Sequence, residues 1–404
     1  QRGAAGALVE HASDQNISQL MVGDTTIALG KLAQSWRARF KIPVIGITGS
    51  NGKTTVTALI REILSVSHNP LSPVQSFNNQ WGVPLTLLKI TADHTHAVIE
   101  MGMNSPGEID YLSRIASPTV ALINNAAAAH LEGLGSVRQV ALAKAEIIDG
   151  LDSDGVAVLN ADDAFFDLWK ESAADRRVVS FGCNNRADIM AKNVQFNSEV
   201  SEFTMQVDQN SYKVSLPLAG RHNVMNALAA AAACVAIGID LSQITVGLKR
   251  AKGVAGRLTV FSSASGARVI DDSFNANPAS TIAAIDVLSS HMGKRVLVLG
   301  AMAELGADGE VLHADVGRAA AAAGIDRLLV LSDSGNPDVS GYLRGYGENA
   351  QSFDNIDELF GALSADNKPG VALLVKGSKS SRMGRVVERL LAKEKNNRTS
   401  EAAC

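Results

Sequence analysis

The chain is poor in cysteine, in charge of any one sign and in long apolar runs. Its three cysteines, Cys183, Cys234 and Cys404, are odd in number and far apart. They have no metal-ligand spacing and form no disulfide framework, which fits a reducing cytoplasm. A formal net charge of −4 gives no basis for nucleic acid or an anionic membrane surface as a partner. Neither a signal peptide nor a membrane span occurs. The Ala-rich run 227–236 is short and follows a polar motif, so it reads as a core helix. The first residue is Gln1 and Gly3–Val9 looks like the middle of an α/β unit, so a missing upstream portion is expected.

What is present describes a multidomain enzyme. The chain has 404 residues, 46% apolar and 19% charged, too long for one core and suited to two or three domains. Residues 1–41 hold a short strand around Gln19–Val22 and a helix from Thr25 to about Arg39, too little to fold unaided. Residues 42–255 alternate helical stretches with buried strands at Val44–Thr48, His96–Glu100, Thr119–Ile123, Val156–Leu159 and Val178–Phe181. That pattern predicts a mainly parallel sheet covered by helices. Alternating runs at 203–207 and 212–216 predict a small antiparallel addition, followed by a long helix from Asn223 to about Ile237. Gly253–Gly256 reads as a hinge. Residues 256–404 restart the alternation, with strands at Arg268–Ile270, Val296–Leu299, Leu328–Leu331 and Ala372–Val375. The expected fold class is α/β: a central phosphate-loop domain with a mainly parallel sheet, then a C-terminal Rossmann-like domain. Gly300–Gly306 lacks Gly-x-Gly-x-x-Gly spacing, which excludes a dinucleotide fingerprint there. The polar tail Glu394–Cys404 is expected to be disordered.

The organising stretch is Val44–Thr55: a β-branched strand, a glycine-rich turn and a helix start. The strict phosphate-loop pattern needs glycine where Ile47 stands, so this is a shortened Gly-x-x-Gly-Lys-Thr form. Gly49 and Gly52 allow a tight turn with N–H groups close to a ligand. The helix N-terminus is an anion site, Lys53 adds a fixed charge, and Thr54 places a hydroxyl where phosphate-bound Mg²⁺ would sit. Gly49, Ser50, Asn51, Gly52, Lys53, Thr54 and Thr55 are therefore expected to bind nucleotide.

Ligands in open parallel sheets lie beyond the carboxyl ends of the strands. Glu100 ends one strand there, Asn124 and Asn125 end the next, and His130 follows. A carboxylate and an imidazole beside Lys53 and Thr54 would make a metal–phosphate site; each alone reads as a solvated rim residue. Lys144, in a helix expected over Gln139–Leu151, reads by itself as a solvated lysine. His222 or Asn223 either caps the Ala-rich helix or reads an adenine edge. Asp271–Pro278 is either a turn and helix cap or a polar ligand loop.

Together these motifs resemble the ATP-dependent Mur ligase family, within it the type that adds D-Ala-D-Ala. The matching stretches are Thr48–Thr55, Asn78–Pro84, Asn124–Ser136, Gly220–Asn226 and Asp271–Pro278, with weaker matches at Gly300–Gly306 and Val375–Ser378. The resemblance implies that residues 1–41 are the remainder of an N-terminal UDP-sugar substrate domain. It makes 42–255 the ATP-binding domain and 256–404 a domain that closes on ATP and binds the dipeptide. By motif position, Lys53 and Thr54 hold phosphate and Mg²⁺, Glu100 and His130 are metal ligands, and Asn79 lies near the phosphates. His222, Asn223 and Asn226 line the adenine pocket; Arg257, Asp272 and Asn275 reach the nucleotide on closure. Lys144 matches a lysine that many relatives carry as a carbamate, giving a catalytic set of Lys53, Glu100, His130 and Lys144. The family usually has Asp at Ala301, Tyr at Phe274, His at Ser105 and Arg at Lys379.

The implied reaction joins D-Ala-D-Ala to UDP-N-acetylmuramoyl-tripeptide through an acyl phosphate, with ATP and Mg²⁺, in a cytoplasmic monomer. The segment Lys376–Ser380 is expected to receive the carboxylate of the dipeptide. The alternatives are another ligase of the superfamily, adding a single amino acid or glutamate to a folate, and a nucleotide switch that makes no covalent product.

Overall fold

The computed structural model describes residues 3–392 except 74, 75, 334 and 336. Gln1, Cys404 and the tail from Glu394 lie outside the described residues. Cys183 and Cys234 are free thiols.

The N-terminal segment pairs β1 (Gly6–Val9) in parallel with β2 (Ser18–Met21). The helix Thr25–Arg37 follows, capped by Asp24, whose carboxylate accepts the Ile27 N–H at 2.8 Å. It docks on the central lobe: the Trp36 indole donates to the Ile90 carbonyl at 3.0 Å and Arg37 Nε to the Ala116 carbonyl at 3.1 Å.

The central sheet contains β3 (Val44–Thr48), β4 (Pro70–Leu71), β5 (His96–Glu100), β6 (Val120–Ile123), β7 (Val156–Asn160), β8 (Arg177–Gly182), β9 (Ile189–Phe196), β10 (Ser201–Val207) and β11 (Asn210–Leu216). Their spatial order is β11-β10-β9-β8-β7-β6-β3-β5-β4. Pairing is parallel from β4 through β9, and β10 is antiparallel to both its neighbours. The middle strands are buried on both faces because alternate residues enter two different cores. Ile45 and Ile47 pack with Val56, Leu59 and Ile60 on one side, while Val44 packs with Ala97 and Ile99 on the other. The helix Arg221–Ala236 is buried all along Ala227–Cys234, where small side chains let it lie close to the sheet and to helix Lys53–Leu64.

After residues 250–258, which form no helix or strand, the C-terminal sheet begins. It holds β12 (Thr259–Ser262), β13 (Arg268–Asp272), β14 (Lys294–Leu299), β15 (Arg327–Leu331), β16 (Ala350–Phe353) and β17 (Val371–Lys376). The order is β12-β13-β17-β14-β15-β16, parallel except for β12. Two apolar cores, one on each face, hold its helices.

Two expected helices have different bounds. The stretch expected at Gln139–Leu151 is an α-helix over Val137–Ala145, capped by Ser136, followed by a 3₁₀ turn over Glu146–Gly150. The long helix starts at Arg221 rather than Asn223, because Gly220 at φ 97 turns the chain into it two residues earlier. No described helix is long and apolar enough to cross a membrane.

Candidate active site

The strand β3 delivers the glycine turn to the seam between the two lobes. Gly52, at φ 82, is left-handed and caps the helix Lys53–Leu64. A Cβ there would lie 2.2 Å from Asn226 Oδ1 and 2.5 Å from Asn124 Nδ2, so only glycine fits. The Ser50 N–H donates to the Asn125 carbonyl at 3.0 Å and the Asn51 N–H to Asn125 Oδ1 at 2.8 Å. The N–H groups of Lys53, Thr54 and Thr55 bond nothing among the described residues and form the anion site.

Three charged groups surround this turn. Lys53 Nζ donates to the Gly49 carbonyl at 2.6 Å; burial lowers its pKa, with Glu100 opposing and Arg257 adding to that shift. Glu100 is 2% exposed, accepts from Asn78 Nδ2 at 2.7 Å through Oε1, and leaves Oε2 buried without a partner among the described residues. An orphaned carboxylate oxygen beside a phosphate loop fits a cation. Arg257 comes from the C-terminal side. Its guanidinium lies 4.3 Å from the centre of the Phe274 ring and 3.4 Å from Thr54 Oγ1.

A chain of amides joins the loop to both lobes. Asn277 Nδ2 donates to Asn51 Oδ1 at 2.7 Å from the C-terminal lobe. Asn124 Nδ2 donates to the Asn51 carbonyl at 2.9 Å and to Asn226 Oδ1 at 3.0 Å, and Asn226 Nδ2 donates to Asn223 Oδ1 at 3.2 Å. Beside this chain opens a cavity of about 370 Å³, lined among others by Gly52, His222, Asn223, Asn226 and Arg257. That is large enough for part of a nucleotide. Burial, with Lys376 nearby, brings the His222 pKa down to about 4, so its ring is neutral.

Lys144 is 2% exposed, and burial followed by the charge of Lys53 puts its pKa well below the usual lysine value. Asp163 opposes that shift; its carboxylate accepts the Ala126 and Phe165 N–H groups, each at 2.9 Å. Nζ of Lys144 makes no hydrogen bond among the described residues, so the solvated-lysine reading does not hold.

The remaining expected residues divide. Asp272 is buried in an ion pair with Lys376, whose Nζ also donates to the Asn275 carbonyl at 2.8 Å. Lys376 is thus committed within its own lobe, and the Ser378 N–H donates to the Ala301 carbonyl at 2.9 Å. This weakens the expectation that Lys376–Ser380 receives a carboxylate. Asn79 is exposed, and its side chain accepts the Trp81 and Gly82 N–H groups at 3.2 and 2.9 Å. His130 contacts Glu304 of the C-terminal lobe, Nδ1 to Oε2 at 2.5 Å.

Sequence reasoning passed over Asp163 and gave no individual role to Asn78, Asn277 or Glu304, although each lies in a stretch it singled out. Asp163 carried a usable signal: it follows the carboxyl end of β7, as Glu100 ends β5.

Comparison with known proteins is consistent along the chain. Residues 47–234 match the family described as Mur ligase middle domain, and residues 256–379 match Mur ligase, glutamate ligase domain. The UDP-N-acetylmuramoyl-tripeptide–D-alanyl-D-alanine ligase of Escherichia coli (strain K12) is 43% identical over 389 residues, covering 96% of this chain and 85% of that protein. The enzyme of the same name from Bacillus subtilis (strain 168) is 34% identical over 380 residues, covering 93% and 82%. The crystal structure of MurF from Acinetobacter baumannii superposes with a TM-score of 0.89 at 35% identity, covering 95% of this chain and 84% of that one. MurF ligase from Thermotoga maritima in complex with ADP gives a TM-score of 0.84 at 25% identity, covering 97% and 89%.

Proposed function

Because this chain belongs to the Mur ligase family, we propose that it joins D-Ala-D-Ala to UDP-N-acetylmuramoyl-tripeptide, cleaving ATP to ADP and phosphate. The product is the UDP-N-acetylmuramoyl-pentapeptide used in peptidoglycan synthesis. The observation that carries this reading is the 43% identity to a ligase of that name across 96% of the chain. We further assign residues 1–41 to the remainder of a UDP-sugar domain, 42–255 to ATP binding, and 256–404 to closure on ATP and dipeptide binding. The enzyme is proposed to work in the cytoplasm as a monomer.

The tripeptide carboxylate attacks the γ-phosphorus of ATP, ADP leaves, and an acyl phosphate forms. The dipeptide amine then attacks the acyl carbon and phosphate leaves with the former carboxylate oxygen. This chain's part is positioning and electrostatics. The N–H groups at the start of helix Lys53–Leu64 and the Lys53 ammonium hold the phosphates, and Arg257 brings a second cation from the closing lobe. A preorganised charge of this kind is worth about 10²–10³ in rate. Asn223, Asn226 and His222 offer amide and imidazole groups to an adenine edge, and Asp272 fixes Lys376 behind them.

The Oε2 of Glu100, unpartnered among the described residues, supports a Mg²⁺ site that Thr54 and His130 would join, and a carbamate on Lys144 would hold a second Mg²⁺. Bound Mg²⁺ would neutralise phosphate charge. Burial lowers the Lys144 pKa and so favours the free amine, the form that attacks CO₂, forming the N–C bond of a carbamate and releasing one proton; the carbamate would offer hard oxygens to Mg²⁺.

The test supplies UDP-N-acetylmuramoyl-tripeptide and MgATP with D-Ala-D-Ala, L-Ala-L-Ala, D-Ala, glutamate or no amine. D-Ala-D-Ala should give equal amounts of ADP, phosphate and pentapeptide. Coupling to a single amino acid would point to another ligase of the superfamily, and ADP release without an amide would point to a nucleotide switch.

A further inference from the structure

Two residues facing each other across the lobe junction hold left-handed backbone without being glycine. His130, in the loop after β6, has φ 58, and Glu304, in the loop after β14, has φ 62. Each conformation costs about 1 kcal/mol or more and persists where its surroundings over-determine it. Here the two residues also meet each other. His130 Nδ1 meets Glu304 Oε2 at 2.5 Å, and the Glu132 N–H donates to the Glu304 carbonyl at 3.3 Å.

Glu304 is presented by a braced loop. The Gly300 N–H donates to the Lys376 carbonyl at 2.8 Å. The Met302 N–H donates to His313 Nε2 at 3.0 Å, and His313 Nδ1 donates to the Gly309 carbonyl at 2.7 Å. That imidazole is fully buried against Tyr342. An ionised carboxylate only accepts, so the proton shared with Glu304 sits on Nδ1 of His130, and Nε2 is the ring nitrogen that Glu304 does not engage. Nε2 has no partner among the described residues, and the side chain is 22% exposed.

We propose that Glu304 is a positioning residue that, on closure of the C-terminal lobe, fixes the ring and tautomer of His130 so that Nε2 is free to ligate the phosphate-bound cation. The inference rests on the reading of His130 as a cation ligand. It makes the cation site complete only in the closed enzyme, through a carboxylate–histidine pair split between two lobes. Such outer partners typically contribute about 10–100-fold in metal affinity.

The experiment uses the full chain with ADP, with Mn²⁺ in place of Mg²⁺ and ¹⁵N-labelled histidine. Pulsed EPR reads the ¹⁵N hyperfine coupling to Mn²⁺, and titration reads Mn²⁺ affinity. The wild type should show the coupling and His130→Ala should lose it. Glu304→Ala should lose it as well and bind Mn²⁺ about 10–100-fold more weakly. Glu304→Gln should fall between, because its amide oxygen still accepts from Nδ1. Arg268→Ala removes a different contact between the lobes, the ion pair with Glu199, and should keep the coupling. If His130→Ala retains the coupling, His130 is no ligand and both readings fall. If His130→Ala loses it while Glu304→Ala keeps it, the inference alone is overturned. Loss in Arg268→Ala too would assign the effect to closure at large and overturn the positioning role.

Discussion

Replacing Gly52 by alanine separates two costs that are usually confounded. Gly52 sits at φ 82, ψ −7 and Gly107 at φ 84, ψ −13, each just before a helix. Both substitutions incur the left-handed penalty of about 1–2 kcal/mol. Among the described residues a Cβ on Gly107 meets nothing within 4 Å, whereas on Gly52 it lies 2.2 Å from Asn226 Oδ1 and 2.5 Å from Asn124 Nδ2. Neither side chain can withdraw freely. Asn124 is 2% exposed and also holds the Asn51 carbonyl; Asn226 is 5% exposed and also holds Asn223. Parting them breaks a buried hydrogen bond and leaves its groups unsatisfied, about 1–3 kcal/mol more. Gly52→Ala should therefore lose about 2–5 kcal/mol, and Gly107→Ala about 1–2 kcal/mol. Urea unfolding followed by a central-lobe probe measures both. ADP titration should show at least about a tenfold loss of affinity for Gly52→Ala, equivalent to about 1.4 kcal/mol, and little for Gly107→Ala. Equal destabilisation of the two variants, with ADP affinity unchanged, would refute the collision and the packing of the amides against the loop.

Lys53→Ala should lower ligation by at least about 10²-fold while melting near the wild type, since among the described residues its ammonium bonds only the Gly49 carbonyl; near-normal turnover would remove the phosphate-loop assignment. Lys144→Ala should be inactive and regain activity with added short carboxylic acids, and wild-type enzyme prepared without CO₂ should regain activity on adding bicarbonate. Burial, with His68 adding to it, brings the His96 pKa down to about 4 from an ordinary 6.5, so the fold favours the neutral ring. The stability this gives is full above pH 6.5 and is lost as pH falls from 6.5 to 4; His96→Gln should remove about 1–3 kcal/mol of that dependence in acid-unfolding curves.

Much of the fold was legible because the parallel strands are buried on both faces. Val44–Thr48, His96–Glu100 and Val156–Asn160 are apolar runs that no exposed segment would carry. The strands that escaped notice are mostly short or lie at edges: β1, β4, β12 and β16; β9, eight residues inside the sheet, fell in the stretch read as a small antiparallel addition. Thr259–Ser262 is largely exposed and Pro70–Leu71 is two residues long, so neither leaves a periodic signal. The site was legible where one segment builds it, as at Gly49–Thr55. It was opaque where two distant segments meet. No local pattern says that Asp163 faces Lys144, that Asn277 reaches Asn51, or that Glu304 reaches His130. Lys376 shows the converse: a lysine and serines before a helix suggested a carboxylate site, but the lysine is committed to Asp272, a partner 104 residues away.

The chain of asparagines at the phosphate loop has a consequence for how the seam responds to its medium. Primary amides carry no net charge and do not titrate at any pH the protein survives. The contacts Asn277–Asn51–Asn124–Asn226 should therefore be nearly indifferent to ionic strength and acidity. The Glu199–Arg268 pair has side chains 65% and 32% exposed, and Glu304 is 48% exposed. Added salt screens such contacts, with a Debye length of about 3 Å at 1 M. Salt should loosen the seam at its ionic contacts and leave the loop end joined, so the lobes would pivot about the nucleotide site instead of parting. Paired distance labels at the two ends, followed through a salt titration, would separate the two motions.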